Sequence, residues 1–319
     1  MNMLIIGGAG FLGANLVRRC LRESGNIVTV LDSLEPMLRA TTDSLRDVWD
    51  RIHFVRGSMT DEHLVAEVVQ GQDIIFNCAA QTSHPLSLRA PLFDAEINCL
   101  GNLKLLEAIR LLNRKAVVAY TSSSTVIGKA EGDLVDETHG ERPLDIYSAN
   151  KGVAEKYYRI YNRVHGLKTV VLRFANLYGP YGKGYEEFGF VNYFISQAWR
   201  GEEIRVFGTG AQTRNVMYVD DATDILCRAV RDKRLWGESY FAAHDEHLAV
   251  ADIARRIVGV FGRGLVTHVA WPEERERTEI GNVRISSERL REITGWRPAT
   301  TFDQGLLMTK EILARTGVL

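Results

Sequence analysis

Residues 5–13 read IIGGAGFLG, with Gly7, Gly10 and Gly13 at the spacing GxxGxxG between an apolar run and an amphipathic one. This pattern is typical of a tight turn from a β-strand into a helix, where the missing Cβ atoms let a pyrophosphate approach the helix N-terminus. Asp32 ends the next predicted strand, where a carboxylate accepts hydrogen bonds from a ribose 2′-hydroxyl and repels a 2′-phosphate. Because no basic residue follows Asp32 before Arg39, the stretch predicts a site for NAD rather than NADP.

Around this stretch, the first half of the chain alternates apolar runs with amphipathic ones. The predicted strands are residues 3–7, 26–32, 51–55, 73–79, 116–123 and 169–175. Most are nearly continuous apolar runs, as expected of strands buried on both faces of a parallel sheet. Helical patterns between them cover residues 10–23, 61–69, 94–112 and 148–166. The alternation predicts an α/β fold with a Rossmann-type doubly wound parallel sheet.

After residue 176 the alternation loosens, and glycine and aromatic residues become dense in the stretch NLYGPYGKGYEEFGF. Helical patterns return at residues 250–261 and 302–315. We therefore predict an NAD-binding domain over residues 1–175, with part of 214–235 returning to it. Residues 176–319 are expected to form mainly a smaller, partly interleaved C-terminal substrate domain.

The composition argues against several classes of protein. The 319 residues carry a net charge of −1, which gives no reason to expect nucleic acid or an anionic membrane as a partner. The sequence has no apolar run of transmembrane length and no signal-peptide pattern, so a cytoplasmic protein is expected. The cysteines lie far apart without a CxxC pair, so we expect buried reduced thiols and no metal site.

The stretch YSANK places Tyr147 and Lys151 four residues apart at the start of a helical pattern, so both side chains lie on one helix face. A free tyrosine, with a pKa of roughly 10, is a poor base at neutral pH. A neighbouring ammonium favours the phenolate, and so does the positive nicotinamide of NAD⁺. The same spacing is common on solvated helices, but beside a dinucleotide turn it predicts a general base for a sugar or alcohol hydroxyl.

A cluster of hydroxyl side chains lies upstream of this pair, in the stretch AYTSSSTVIG. Ser122, Ser123, Ser124 and Thr125 follow a predicted strand at its carboxyl end, where folds of this class bind ligands. Serine clusters also form ordinary turns. Together with the glycine turn and the Tyr-Lys pair, however, this cluster is expected to direct hydroxyl donors toward a substrate.

These residues resemble an extended short-chain dehydrogenase/reductase of the NAD-dependent epimerase/dehydratase family, whose members act on nucleotide sugars. The resemblance covers nearly the whole chain. Its motifs are GGAGFLG, Asp32, NCAAQTS, EINCLGNLKLLEA, TSSSTVIG, YSANK, LRFANLYGP, GTGAQTRNVMYVDD and LREITGWRP.

The resemblance implies roles for individual residues. Tyr147 would be the catalytic base, Lys151 would hold the nicotinamide ribose, and Ser123 would be the third catalytic residue. Beside the cofactor, the resemblance places Tyr147, Lys151, Gly7, Gly10, Phe11, Leu12, Gly13, Asp32, Ser58, Ala79, Ala80, Asn98, Ser122 and Phe174. Beside the substrate, it places Gln81, Ser83, Ser124, Asn176, Val191, Arg214, Arg277 and Val283.

Two of these substrate residues are arginines, and the expected substrate carries a diphosphate. Arg214 and Arg277 are expected to bind it, because a guanidinium binds phosphate oxygens bidentately.

Three positions depart from the family pattern. Ser58 stands where the family often has an aspartate for the adenine, Ile127 where it has a tyrosine, and Asn215 where it has an aspartate after the phosphate-binding arginine.

Epimerases, 4,6-dehydratases and decarboxylases of this family all begin by oxidising a sugar carbon. The dehydratases carry an Asp-Glu pair just after the catalytic Ser or Thr, and the decarboxylases carry a Glu at the second position. Here the two positions are Ser124 and Thr125, which cannot act as carboxylate bases. The resemblance therefore implies 4-epimerisation of a nucleotide-diphosphate hexose through a transient 4-keto intermediate, as in UDP-galactose 4-epimerases.

Other activities stay open at this point. Residues 95–110 and the stretch GFVNYF also resemble the CDP-tyvelose 2-epimerase type, and a ketosugar reductase that consumes NAD(P)H would share the same scaffold. A non-catalytic dinucleotide-binding protein is a third class, although it would have no need of the Tyr-Lys pair. The sequence identifies neither the sugar nor the nucleotide base.

The resemblance also implies an assembly and a specificity position. Family members commonly form homodimers through a four-helix bundle, and the matching helices are residues 92–112 and 147–165, with Leu100, Leu103 and Ile109 expected on the outer face of the first. Val283 matches the position at which a large residue excludes N-acetylated sugars. Valine is small, so an acetamido group is expected to fit.

Overall fold

The computed structural model describes residues 1–130, 132, 134–277 and 279–318. In this part of the chain the strands are β1 (Asn2–Ile6), β2 (Ile27–Asp32), β3 (His53–Arg56), β4 (Ile74–Asn77), β5 (Val117–Ser123), β6 (Lys168–Phe174), β7 (Asn176–Tyr178), β8 (Glu203–Phe207), β9 (Thr213–Tyr218), β10 (Ser239–Ala242), β11 (His247–Ala249) and β12 (Leu265–Val269). The helices are α1 (Phe11–Leu21), α2 (Glu62–Val68), α3 (His84–Arg89), α4 (Pro91–Ala95), α5 (Gly101–Leu112), α6 (Ile146–His165), α7 (Phe190–Arg200), α8 (Val219–Ala229), α9 (Val250–Phe261), α10 (Glu273–Arg277), α11 (Glu288–Thr294) and α12 (Phe302–Thr316).

Seven parallel strands form the main sheet, in the order β10-β6-β5-β4-β1-β2-β3. The order reverses at β1, as in a doubly wound Rossmann-type sheet. Helices cover both faces: α1, α8 and α11 pack on one, and α2, α5 and α6 on the other. The predicted α/β fold is therefore confirmed. The carboxyl ends of β1, β2, β4, β5 and β6 lie along one edge, where this class of sheet binds ligands.

The sequence pattern did not reveal the seventh strand. β10 (Ser239–Ala242) has only four residues, and it pairs with β6 after the chain has passed through the second half of the fold. Helix α8 packs on α1 in the same core cluster. The second half thus contributes both a strand and a helix to the main sheet, while the domain division at residue 175 stays a prediction.

A smaller second lobe stands over the carboxyl edge of the main sheet. It contains the three-stranded sheet β11-β9-β7 and the strand pair β12-β8. Helices α7, α9 and α12 pack against these strands around a core of their own. Because β7 follows directly after β6, the second lobe begins at the edge of the sheet that binds ligands.

The helices expected at a dimer interface are only partly free. Leu100 is about half exposed. On α6, Ile160 is also about half exposed, and Val164 is more exposed than either. Ile109, in contrast, is fully buried against the main sheet, so its expected place on the outer face is corrected. Leu103 also packs against that core. The homodimer itself stays a prediction.

Candidate active site

The turn after β1 has the backbone geometry that its glycines predicted. Gly7 has φ = +76°, and a Cβ atom on it would lie 2.6 Å from the backbone of Ala79. A Cβ atom on Gly13 would lie 2.1 Å from the carbonyl oxygen of Gly7. The N-cap of α1 is Gly10, which provides no side-chain cap. The amides of the first turn of α1 can therefore face a phosphate group.

Asp32 lies at the carboxyl end of β2 with both carboxylate oxygens held by the backbone. Oδ2 accepts a hydrogen bond from the amide of Ala9, and Oδ1 from the amide of Leu34, both at 2.9 Å. Burial raises the pKa of Asp32, whereas these two amides and the Lys183 ammonium act to lower it. The carboxylate is thus fixed in orientation beside the glycine turn.

Lys183 reaches the same region from the second lobe. Its Nζ donates to the carbonyl oxygen of Leu38 at 2.5 Å and lies 4.5 Å from the ring centroid of Phe188. Burial lowers the pKa of Lys183 to about 8, while the charge of Asp32 acts to raise it. Reasoning from the sequence missed this residue, because only the fold brings residues 32 and 183 together.

The segment 180–185, here called the clasp, contacts the first lobe at further points. The carbonyl oxygen of Pro180 accepts a hydrogen bond from Asn15 at 2.9 Å. The guanidinium of Arg18 lies 3.8 Å from the ring centroid of Tyr181. Arg39 contacts the ring of Tyr185 in the same way, at 4.1 Å. With Lys183, these contacts fasten the second lobe to α1 and to the loop after β2.

Tyr147 and Lys151 lie one turn apart near the start of α6, as their spacing predicted. Asp145 caps the helix by accepting a hydrogen bond from the amide of Ser148 at 2.8 Å. Nζ of Lys151 donates to the carbonyl oxygen of Thr121 at 2.6 Å and lies 4.3 Å from the ring centroid of Tyr120. Both Tyr147 and Lys151 are buried at the carboxyl end of β5.

Burial acts in opposite directions on the two pKa values. It raises the pKa of Tyr147, a shift that the neighbouring Ser123 hydroxyl partly offsets and the charge of Asp145 reinforces. It lowers the pKa of Lys151 to about 8, against the opposing charge of Glu155. Burial thus disfavours both charged forms, but Lys151 stays mainly cationic at neutral pH whereas Tyr147 stays neutral. A further positive charge is needed to make Tyr147 an effective base at neutral pH.

A buried ion-pair network lies beneath this pair. Arg173, on β6, donates to Glu155 of α6 at 2.7 to 3.0 Å and to Glu141 at 2.9 Å. Ser122 Oγ donates to the same Glu155 at 2.5 Å. The network joins the ends of β5 and β6 to the helix that carries Tyr147, so it fixes the distance between the serine cluster and the tyrosine.

The hydroxyl cluster forms a connected chain. Ser123 Oγ and Thr125 Oγ1 are 2.9 Å apart, and Ser123 Oγ accepts from the amide of Thr125 at 3.2 Å. Ser148 Oγ donates to Thr125 Oγ1 at 2.9 Å. Since the Ser123 hydroxyl also acts to lower the pKa of the Tyr147 phenol, the chain of hydroxyls ends beside the predicted base.

Two adjoining clefts open above these groups. The first, of about 360 Å³, runs from the glycine turn past Asp32 to Tyr147, and the second, of about 860 Å³, continues into the second lobe. Nineteen of the residues predicted for the site line the first cleft. They are Gly7, Gly10, Phe11, Leu12, Gly13, Asp32, Ser58, Ala79, Ala80, Ser122, Ser123, Ser124, Tyr147, Lys151, Phe174, Asn176, Val191, Arg214 and Val283.

The family model that matches this chain, described as the NAD dependent epimerase/dehydratase family, covers residues 3–241. The chain belongs to this family. It is therefore an NAD-dependent enzyme from a family that acts on nucleotide-diphosphate sugars.

This epimerase/dehydratase has relatives that are named for two different activities. It is 29% identical to UDP-glucose 4-epimerase of Mycolicibacterium smegmatis, with 98% of each chain covered. It is 31% identical to dTDP-glucose 4,6-dehydratase of the same organism, over 97% of this chain and 92% of the relative. Among solved structures, UDP-glucose 4-epimerase of Thermotoga maritima with UDP-glucose superimposes with a TM-score of 0.90, at 27% identity and 99% coverage of both chains.

The first cleft fits NAD on the geometry of its own residues. A Cβ atom at Gly7 or Gly13 would strike the protein's own backbone, so the turn closes this tightly only with glycine, and residues of the first turn of α1 line the cleft. Asp32 would hold the adenosine ribose, and Lys151 the nicotinamide ribose. Lys183 lines the same cleft and adds a cation to the side on which Asp32 lies. Bound NAD supplies the acceptor of a hydride and a positive charge near Tyr147.

Four predicted site residues do not line either cleft. Gln81 is fully buried and donates to Asp94 at 2.7 Å and to the carbonyl oxygen of Ser83 at 2.8 Å. Ser83 is buried as well and caps α3. Asn98 lies in a π-helical turn over Glu96–Leu100 and bonds the backbone of Gln81. These three residues support the site from beneath.

Arg277 is the fourth residue outside the clefts. It is exposed, and it forms an ion pair with Glu273 on its own helix, α10. Arg275, two residues earlier, lines the second cleft instead and pairs with Glu186 at 3.1 Å. The predicted contact of Arg277 with a diphosphate is therefore corrected, because the arginine of α10 that lines the second cleft is Arg275.

Arg214 lines both clefts but is engaged within the protein. It donates to Glu279 and to the carbonyl oxygen of Gly281, each at 2.6 Å. Asn215, where the family has an aspartate, is buried and bonds the backbone of His244. Asn176 donates to the carbonyl oxygen of Asn215 at 2.9 Å. A diphosphate at Arg214 would therefore lie close to the carboxylate of Glu279.

Val283 packs against Ile127 and Ile285 at the border of the first cleft.

Over the residues that the structure describes, His, Cys, Asp and Glu form no cluster able to hold a metal ion. The cysteines in the same residues are free thiols. No helix of the described residues has the length and apolar character needed to cross a membrane.

Proposed function

We propose that the chain is an isomerase that converts a nucleotide-diphosphate hexose into its C4 epimer. One observation carries this proposal: the carboxylates that line the first cleft, within the described residues, are Asp32 and Glu35, both after β2. Around Tyr147 the same cleft is lined by hydroxyl groups and one imidazole, from Ser123, Ser124, Thr125 and His84. This set suits transfer of a hydroxyl proton and lacks the acid-base pair of the dehydratases.

In this proposal the C4 hydroxyl of the sugar gives its proton to Tyr147. The hydroxyl of Ser123 bonds both the phenol and the sugar oxygen, and the cation of Lys151 stabilises the phenolate. NAD, when bound, would supply the acceptor and then the donor of a hydride at C4, and the 4-keto sugar would turn between the two transfers. Tyr147 then returns the proton, so neither the cofactor nor the net protonation of the substrate changes.

The second cleft supports a nucleotide-diphosphate sugar as the substrate class. It is large enough for a nucleotide, and Arg214, Arg275 and Asn176 line it. Guanidinium groups bind the oxygens of a diphosphate bidentately. The Thermotoga maritima relative was solved with UDP-glucose, which fits the same chemistry. The adjoining clefts would place the diphosphate in the second lobe and the sugar above Tyr147.

The test is incubation with UDP-, dTDP-, GDP- and CDP-hexoses, followed by mass spectrometry and NMR. A 4-epimerase leaves the mass unchanged and inverts C4. A 4,6-dehydratase, the activity of relatives 31% identical, produces a product lighter by one water. Inversion at C2 would identify a 2-epimerase, and stoichiometric consumption of NADH in a parallel incubation with a nucleotide-diphosphate ketosugar would identify a ketosugar reductase. Any of these last three outcomes would reject the proposal.

A further inference from the structure

His84 lies at the junction of the two clefts and lines both of them. Its ring meets that of Tyr147 edge to face, with 4.8 Å between the centroids. The sequence reasoning selected the neighbours Gln81 and Ser83 as substrate contacts, but both are buried. Because the chain is extended before α3, side chains alternate in direction, and Thr82 and His84 face the first cleft.

The backbone of His84 is held rigidly from beneath. Oε1 of Gln81 accepts a hydrogen bond from the amide of Ser83 at 2.5 Å, and Nε2 donates to Asp94 at 2.7 Å. Asp94 in turn accepts from Asn150 of α6 at 2.8 Å. His84 is the first residue of α3, directly after its cap. A buried polar network of this kind fixes a side chain that must meet a ligand in one position.

The ring orientation of His84 is fixed by Asp145. Nδ1 of His84 lies 2.5 Å from Oδ2 of Asp145, and a carboxylate at Nδ1 keeps the proton there, so that Nε2 is the acceptor of the neutral ring. For Nε2 the described residues provide no hydrogen-bond partner. The His84 side chain is 42% exposed while that of Asp145 is 9% exposed, so the ring extends from its buried carboxylate into the cleft.

We propose that Nε2 of His84 binds a hydroxyl group of the hexose, on C3 or C6, and that Asp145 positions the ring for this contact. The assignment rests on the proposed function, since it takes a nucleotide-diphosphate hexose as the ligand. With the C4 hydroxyl at Tyr147, the substituents of the flanking carbons face the ring that packs edge to face against the phenol. The contact holds C4 at the base in one orientation of the sugar, and it must break before the 4-keto intermediate can turn.

Matched substitutions test the roles of the two ring nitrogens of His84 separately. His84→Asn keeps an amide near the position of Nδ1 and loses the group at Nε2, whereas His84→Gln extends an amide toward the position of Nε2. Asp145→Asn keeps an N-cap for α6, because asparagine caps as well as aspartate, and removes only the carboxylate. His63→Asn, at an exposed position on α2, is the control histidine.

The readout is calorimetric binding of nucleotide-diphosphate hexoses and their 3-deoxy and 6-deoxy analogues to the NAD-loaded enzyme. For the natural protein, removal of the contacted hydroxyl is expected to weaken binding about tenfold. In His84→Asn the parent sugar should bind about tenfold more weakly, and the same deoxy analogue should show no further loss. His84→Gln should restore part of the difference, and His63→Asn should match the natural protein.

Two results would overturn the assignment. One is a loss of affinity for the deoxy analogue, relative to the parent sugar, that is as large in His84→Asn as in the natural protein. The other is unchanged binding of the parent sugar by His84→Asn and His84→Gln when both variants retain NAD and their melting temperature. Because calorimetry reports binding whichever reaction follows, the contact can be established even if the product analysis rejects 4-epimerisation. Conversely, the enzyme could prove to be an epimerase in which substitution of His84 does not change the affinity lost on removal of the sugar hydroxyl. That result would reject only the contact.

Discussion

Raising the pH from 7 to 9 should inactivate the enzyme through Lys151. Burial holds the pKa of this lysine at about 8 in the folded protein, well below the usual value of about 10.4. A base with a lowered pKa is cationic below that pKa and neutral above it. Roughly 90% of Lys151 is therefore cationic at pH 7 and roughly 10% at pH 9. Because the cation stabilises the phenolate of Tyr147, kcat/KM should fall about tenfold over this interval.

The assay is kcat/KM for the interconversion of two epimers, measured between pH 6.5 and 10 at constant ionic strength. Epimers carry the same charge, so the equilibrium constant does not change with pH and any decrease comes from the protein. Lys151→Arg provides the control, since a guanidinium stays charged throughout. Whatever activity this variant retains should not decrease between pH 7 and 9. A natural enzyme with constant kcat/KM up to pH 9.5 would refute the reasoning, as would an equal decrease in Lys151→Arg.

Four other predictions concern the cofactor, the base, the pocket and the assembly. Tyr147→Phe should lower kcat by about 10²–10⁴ with an unchanged content of bound NAD; near-full activity would show that another group is the base. Lys183→Met should lower the NAD that remains after gel filtration, measured by chromatography of the heat-released dinucleotide, whereas Lys129→Met, at an exposed position, should retain it. If the substrate is a UDP-hexose, Val283→Tyr should depress turnover of the N-acetylated sugar and spare the plain hexose; equal loss on both would reject this gate. Light scattering at micromolar concentration should give the mass of a dimer, and Ile160→Glu, on the exposed face of α6, should shift it toward the monomer; a natural protein of monomer mass would contradict the homodimer.

The sequence allowed the main sheet to be predicted because its strands are continuous apolar runs separated by amphipathic ones. All six predicted strands lie within two residues of their observed bounds at both ends. The four-residue strand β10 has too little pattern of its own. Its place is decided by pairing with β6, which is a tertiary contact.

In the candidate site, too, the residues that the sequence could identify differ from those that only tertiary contacts place. Gly7, Gly13 and the Tyr147–Lys151 spacing act through local backbone geometry, and local geometry can be read from neighbouring residues. Lys183 and His84 could not be identified from their neighbours in the sequence. Lys183 meets the loop after β2 only through the fold, and the direction of His84 depends on which of its neighbours are buried.

The clasp also bears on how the enzyme exchanges its cofactor. It contacts α1 and the loop after β2 through Pro180, Tyr181, Lys183 and Tyr185, so NAD would leave the first cleft only after the two lobes have moved apart locally. The dissociation rate of the dinucleotide then reports the opening of the second lobe. During thermal unfolding, release of the cofactor should mark the separation of the lobes, ahead of the loss of the seven-stranded sheet.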